Sequence, residues 1–129
     1  VLTDNEGYKI RPANWGKQIW EKLIQPLPNV DMVICGHTGK PGEFEDATAY
    51  VKSKNAAGNT VHQMMFNVQI LGGGWEGNGG DGWVRILEFY PDGKTIHVKT
   101  YSPLFGISPT TKEHAHRKGK LDDYKITIE

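Results

Sequence analysis

The sequence predicts an α+β fold, and three observations carry that reading. One segment has helical apolar spacing, one short run is almost wholly apolar, and the second half alternates apolar and polar residues between glycine-rich turns. From Asn14 to Gln25, Trp15, Ile19, Trp20, Leu23 and Ile24 recur at three- and four-residue steps, which gathers them on one stripe of a helix. Asn14 is an N-cap residue type, and Pro26 and Pro28 cannot continue the backbone hydrogen bonding. The stripe is expected to cover a sheet face. Val30 to Cys35 (VDMVIC) follows as a strand expected to be buried on both sides, ending at Gly36.

Glu43 to Asn59 is polar and small without a clean period, so an irregular excursion is expected there. In Val61 to Ile70, Met64, Phe66, Val68 and Ile70 alternate with Met65, Asn67 and Gln69, placing one row on the core and the other on a wetter face. Gly72 to Gly82 (GGGWEGNGGDG) is a loop, because glycine has no side chain to pack. Trp83 to Tyr90 and Thr95 to Ser102 form a β-hairpin around Pro91-Asp92-Gly93-Lys94, where proline presets one φ and glycine accepts a positive one. Ser108 to Gly119 reads as a polar, basic, mobile tail, and Tyr124 to Glu129 as a short edge strand. The first strand belongs to a mixed sheet.

At 129 residues the chain is one domain with a feasible core. A single cysteine, Cys35, excludes a disulfide scaffold. Fifteen basic residues balance fifteen acidic ones, which argues against broad electrostatic binding to nucleic acid or anionic membrane. No apolar stretch approaches the roughly 20 residues a membrane span needs, and no basic-then-apolar signal opens the chain. It begins at Val1 rather than methionine, as a processed product or a piece of a longer protein would.

The chemistry concentrates at Cys35-Gly36-His37-Thr38-Gly39, where a histidine stands just past a buried strand. Ligands gather at the carboxyl ends of strands in layered α/β sheets, and an imidazole there suits a metal because one nitrogen coordinates while the other is oriented by a neighbour. By residue type alone, a structural turn explains the same Gly-His. Asn29 to His37 (NVDMVICGH), Gly58-Asn59-Thr60-Val61-His62-Gln63 through Asn67-Val68-Gln69, Gly82-Trp83-Val84-Arg85-Ile86-Leu87 and Thr100-Tyr101-Ser102-Pro103 together resemble the C-terminal part of calcineurin-like metallophosphoesterases. The likeness is to their bacterial serine/threonine-phosphatase-like branch and extends from Trp15 to Pro103.

That resemblance implies the C-terminal half of a four-layer β-sandwich with two divalent metals at one edge, about 3.5–4 Å apart, activating a water that attacks a phosphate ester. It implies His37 as a ligand of one metal, with iron, manganese and zinc not distinguished by ligand type. The other ligand segments, Asp-x-His, Gly-Asp-x-x-Asp and Gly-Asn-His, are not found in this chain. Gly36 and His37 match the start of the family's final Gly-His-x-His segment, and Gly39 stands where its second histidine would fall, which also leaves room for a pseudoenzyme that keeps the fold for partner contacts. Because a catalytic divalent ion takes about three protein ligands, the 129-residue chain alone is expected to be silent. The resemblance further implies a phosphorylated small molecule or phosphoprotein as substrate, a periplasmic or exported parent, and self-association or a missing N-terminal half that covers the open sandwich face.

Further candidates are weaker. In the glycine loop, Trp75 and Asn78 are substrate-contact candidates, but a phosphate loop would need Gly-Lys-Ser/Thr and a following helix. His62 opens a strand near its polar row and is held as a ligand candidate beside its plain structural reading. His97 is a strand residue. His114-Ala115-His116 has ligand-like spacing if extended, against a solvated surface reading. Cys35 is expected to be a neutral, unreactive thiol, and Arg85 to stack on an aromatic ring or pair with an acid. The competing function is a non-catalytic β-rich carbohydrate- or partner-binding module, in which Trp75 and Trp83 would form a coplanar exposed pair.

Overall fold

The computed structural model describes residues 16–37, 44–71 and 79–129. Within them the fold is mixed α+β, with two sheets and few helices. Helix α1 begins as an α-helix at Gly16–Ile19 and continues through Trp20–Ile24 with the wider π spacing, closed by Gln25 N–H donating to the Trp20 carbonyl at 2.8 Å. Strand β1 is Met32–Cys35, β2 is Thr48–Lys54 and β3 is Thr60–Phe66. They form a mixed sheet in the order β1-β3-β2, with β1 parallel to β3 and β2 antiparallel to it. Strand β4 (Val84–Phe89), β5 (Thr95–Tyr101), β6 (His116–Arg117) and β7 (Asp123–Thr127) form an antiparallel sheet in which β5 pairs with all three others.

Several elements arise where the patterning places them. The 91–94 turn joins β4 to β5, with Gly93 at φ 69° and the Asp92 carboxylate accepting from the Lys94 and Thr95 amides at 2.9 and 2.8 Å. β7 is the edge strand expected near the C-terminus. β5 alternates cleanly, turning Ile96, Val98 and Thr100 inward, and β7 adds Ile126 to that inner face.

Other elements differ from the sequence reading. β1 is not buried on both sides: Ile34 is 58% exposed and its neighbours are only half-buried, because β1 is an edge strand of the mixed sheet. Helix α1 buries no residue, and Ile19 and Leu23 are exposed rather than set on a sheet face. The stretch expected to be irregular contains a 3₁₀ turn at Glu45–Ala47 and all of β2, which pairs with β3 along its whole length. The strand expected to reach Ile70 stops at Phe66 and gives way to a 3₁₀ turn at Val68–Ile70. Nor does β3 show one wet row: Val61 to Met65 are all buried because β3 is the central strand. Residues 108–119 hold a 3₁₀ turn, Lys112–His114, and the short strand β6 on β5, with Ala115 buried.

A cluster of Phe44, Ala47, Val68 and Leu71, with Phe66 and Trp83 against it, packs beside the mixed sheet. The two sheets meet through Arg85, whose guanidinium lies 4.4 Å over the Phe66 ring, and through the Tyr50 and Tyr124 rings at 5.1 Å. No helix among the described residues is long and apolar enough to cross a membrane.

Candidate functional site at the carboxyl end of the mixed sheet

Because β1 and β3 run parallel, their carboxyl ends, Cys35 and Phe66, lie at the same end of the sheet. β2 runs the other way and enters there at Thr48, which pairs with Phe66. This is the sheet end at which parallel strands present loop groups to ligands. Gly36 crosses it closely: a Cβ there would stand 3.4 Å from the Phe66 carbonyl oxygen. His37 follows, exposed, with φ 74°. A non-glycine residue in the left-handed region is uncommon and costs about 1–3 kcal/mol, and such residues cluster at functional sites. The expected metal ligand therefore stands at the sheet end that the sequence pattern assigns to it.

The other candidates are not brought to it. Trp75, Asn78 and Gly39 lie outside the described residues. His62 is 2% exposed, with both ring nitrogens engaged. Its Nε2 lies 3.0 Å from the Thr127 carbonyl, which can only accept, so Nε2 carries the proton. Its Nδ1 then accepts from the Tyr50 hydroxyl at 2.6 Å. Burial, the largest influence, pushes the His62 pKa down, and Lys52 adds to this; the Thr127 hydrogen bond, Asp31 and Glu129 oppose it. A neutral imidazole fixed in this way joins the two sheets and has no nitrogen left for a metal.

His114 and His116 do not project together, because His114 ends a 3₁₀ turn while His116 begins β6 and sits 4.8 Å from the Tyr101 ring. His97 is clasped by Asp123 through Nε2 and lies 3.8 Å from Glu88 through Nδ1. The half-buried Cys35 contacts the Met64 carbonyl at 3.6 Å. Arg85 stacks on Phe66 and donates to the Leu121 carbonyl at 2.7 Å, the structural role its position in a strand suggests. Trp83 is half-buried, meeting Phe44 and Phe105 edge-on at 6.1 and 5.4 Å, so it is not an open stacking platform. Among the described residues, no group of three or more His, Cys, Asp and Glu side chains could hold a metal ion. These residues alone do not make a divalent metal site.

A feature that sequence reading missed lies at the same sheet end. A cavity of about 390 Å³ opens between Phe44, Glu45 and Thr48 and the β6–β7 loop from Arg117 to Asp122. The Arg117 guanidinium lies 3.5 Å over the Phe44 ring, with Nε 3.3 Å from Asp122 Oδ2 and Nη2 3.5 Å from Glu45 Oε1. The run Arg117-Lys118-Gly119-Lys120 was the available signal, but its composition alone reads as a solvated segment.

No family model matches the chain, and no solved structure matches it. The chain is 36% identical over 118 residues to the uncharacterized protein YvnB of Bacillus subtilis (strain 168), an alignment covering 88% of this chain and 8% of YvnB. The chain thus spans about 8% of the length of the curated relative it matches.

Proposed function

We propose that the chain is the C-terminal segment of a metal-dependent phosphoesterase that hydrolyses phosphate esters through a metal-activated water, with His37 as one metal ligand. The observation that carries this reading is the placement of His37: left-handed backbone, an exposed ring, and a position directly past β1 at the carboxyl end of a mixed sheet. The small share of YvnB that the chain spans is compatible with a segment of a larger protein.

The described residues do not complete a metal site, so no reaction step is assigned to this chain. In the proposed reading the co-ligands stand in Asp-x-His, Gly-Asp-x-x-Asp and Gly-Asn-His segments N-terminal to Val1. The metal is iron, manganese or zinc, the substrate is a phosphorylated small molecule or phosphoprotein, and the parent protein is periplasmic or exported. Gly39 removes a ligand that the resemblance would supply, which favours a site with altered metal stoichiometry.

The coding sequence upstream of Val1 gives the first test, since the three segments should appear there in that order. Hydrolysis of an aryl phosphate should then depend on divalent metal in the full-length protein and fall by at least about a hundredfold in His37→Ala. The 129-residue chain alone should show no turnover. Robust turnover by that chain, or an upstream sequence without those segments, overturns the reading.

A further inference from the structure

Arg117 is held flat against one wall of the cavity beside the β6–β7 loop. Its guanidinium carbon lies 3.5 Å over the Phe44 ring, which requires a face-to-face stack, since an edge-on guanidinium at that distance would press its nitrogens into the ring. Nε and Nη2 are tied to Asp122 Oδ2 and Glu45 Oε1 at 3.3 and 3.5 Å, so the plane is fixed at its edges as well. The loop closes around the first of these carboxylates, with the Asp122 and Asp123 amides both donating to the Gly119 carbonyl, at 2.9 and 3.1 Å. Trp83 stands at the side of the stack. Its ring is 5.8 Å from the guanidinium and 6.1 Å from the Phe44 ring, whereas on the far face it would be much farther from Phe44 than from Arg117. The far face of the guanidinium thus carries neither ring, and the Arg117 side chain keeps 31% of its surface exposed where it lines the cavity. Charges around the cavity balance: Arg117, Lys118 and Lys120 are matched by Glu45, Asp122 and Asp123, the last of which faces Lys118. Asp122 also keeps a buried oxygen, Oδ1, without a hydrogen-bond donor, which opposes an anion.

We propose that this cavity binds a small neutral aromatic molecule, with its ring stacked on the far face of the Arg117 guanidinium. Guanidinium groups stack on aromatic faces and are weakly hydrated, so covering one with a ring costs little. The plane is already fixed by Phe44 and the two carboxylates, and a platform ordered before binding spares the ligand that cost. A charged ring would lose its hydration without meeting a net opposite charge, which selects a neutral one. The cavity, about 390 Å³ and lined also by Leu121, has room for such a molecule, since small-molecule sites span about 300–1,000 Å³. The site uses neither His37 nor a metal, so it stands or falls independently of the hydrolytic reading.

The test is titration of the 129-residue chain with four molecules of matched size, benzamide, cyclohexanecarboxamide, benzoate and benzamidinium, followed by amide NMR shifts and calorimetry at fixed pH and ionic strength. Benzamide is expected to bind saturably, one per chain, with Kd on the order of 1 mM or tighter and with shifts concentrated at residues 44–48 and 117–122. It should bind at least about fivefold more tightly than its saturated analogue, and more tightly than either charged ring. Arg117→Lys keeps the charge but loses the plane, and should weaken benzamide by about fivefold or more while leaving cyclohexanecarboxamide unchanged. Because the ligand series is read in the wild-type chain, it decides the proposal even if Arg117→Lys fails to fold. Absence of saturable benzamide binding, shifts centred elsewhere, equal affinity for cyclohexanecarboxamide, tighter binding of a charged ring, or unchanged benzamide affinity in a folded Arg117→Lys would each overturn the proposal.

Discussion

His62 and Asp92 each commit a titratable side chain to structure, and their protonation works in the same direction with pH. His62 is neutral in the fold, with its pKa lowered chiefly by burial. As pH falls below the ordinary imidazole value of about 6.5, the unfolded chain takes up a proton that the folded chain resists, so stability present above that pH declines through the acid side. Denaturant unfolding at a series of pH values from 8 to 5 should show this loss, and His62→Gln, which keeps an N–H for the Thr127 carbonyl, should flatten the profile. His62→Ala should cost about 2–4 kcal/mol, since it opens a cavity and leaves the Tyr50 hydroxyl and Thr127 carbonyl unsatisfied. Asp92 is held down to about 2 by hydrogen bonds from the Thr95 side chain, the Thr95 amide and the Lys94 amide. Its contribution to the hairpin should persist until pH falls below the ordinary carboxylate range and then vanish toward pH 2. A carboxyl-carbon NMR titration checks this, and a midpoint near 4 would show that the turn is not held as described. Sequence made Asp92 legible because all its partners lie within three residues. The partner that defines His62, Thr127, is 65 residues away, so no local pattern could separate a bridge between sheets from a ligand.

The hairpin β4–β5 and the edge strand β7 were legible because alternation and turn chemistry agree over short distances. β2 was not: Thr48–Lys54 carries Lys52, Ser53 and Lys54, and its place as a strand depends on pairing with β3 rather than on its own pattern. The end of β3 was equally hidden. The alternation continues through Ile70, but the Asn67 amide leaves the ladder to donate to the Ala47 carbonyl at 2.8 Å, and the chain turns to 3₁₀. Gly80 locks this corner from the other side, donating to the Leu71 carbonyl at 3.1 Å with φ 87°. A Cβ at Gly80 would fall 2.2 Å from the Val68 carbonyl oxygen, which is backbone and cannot rotate away. Gly80→Ala should therefore destabilise by at least about 2 kcal/mol, measured by thermal or denaturant unfolding. Gly58→Ala, with φ 86° but nothing within 4 Å of its Cβ, separates the two causes. It bears the backbone strain without the clash and should cost less. Equal costs at the two positions would mean that the corner yields.

At the scale of the whole molecule, the N-terminal side of the described chain carries a group of uncovered apolar residues, while Phe89 and Ile107 stand exposed singly elsewhere. Ile19, Leu23 and Leu27 in and after α1, and Ile34 on β1, are between 39% and 58% exposed, although their spacing is that of residues made to be buried. The sequence pattern marks Ile19, Leu23 and Ile34 for burial, and among the described residues nothing buries them. β1 compounds this because, among the described residues, it is an edge strand of the mixed sheet with one side unpaired, and such an edge invites another chain. In isolation, the available cover is a second copy, so the 129-residue chain should self-associate at micromolar concentration in sedimentation velocity. Leu23→Lys with Ile34→Lys should shift it toward monomer while changing unfolding free energy by no more than about 0.5 kcal/mol per site, because neither side chain is buried within the chain. A wild-type chain that sediments as a clean monomer would show that these apolar residues tolerate solvent and need no partner. Loss of folding in the double variant would show that they contribute to the chain's own core, contrary to their exposure.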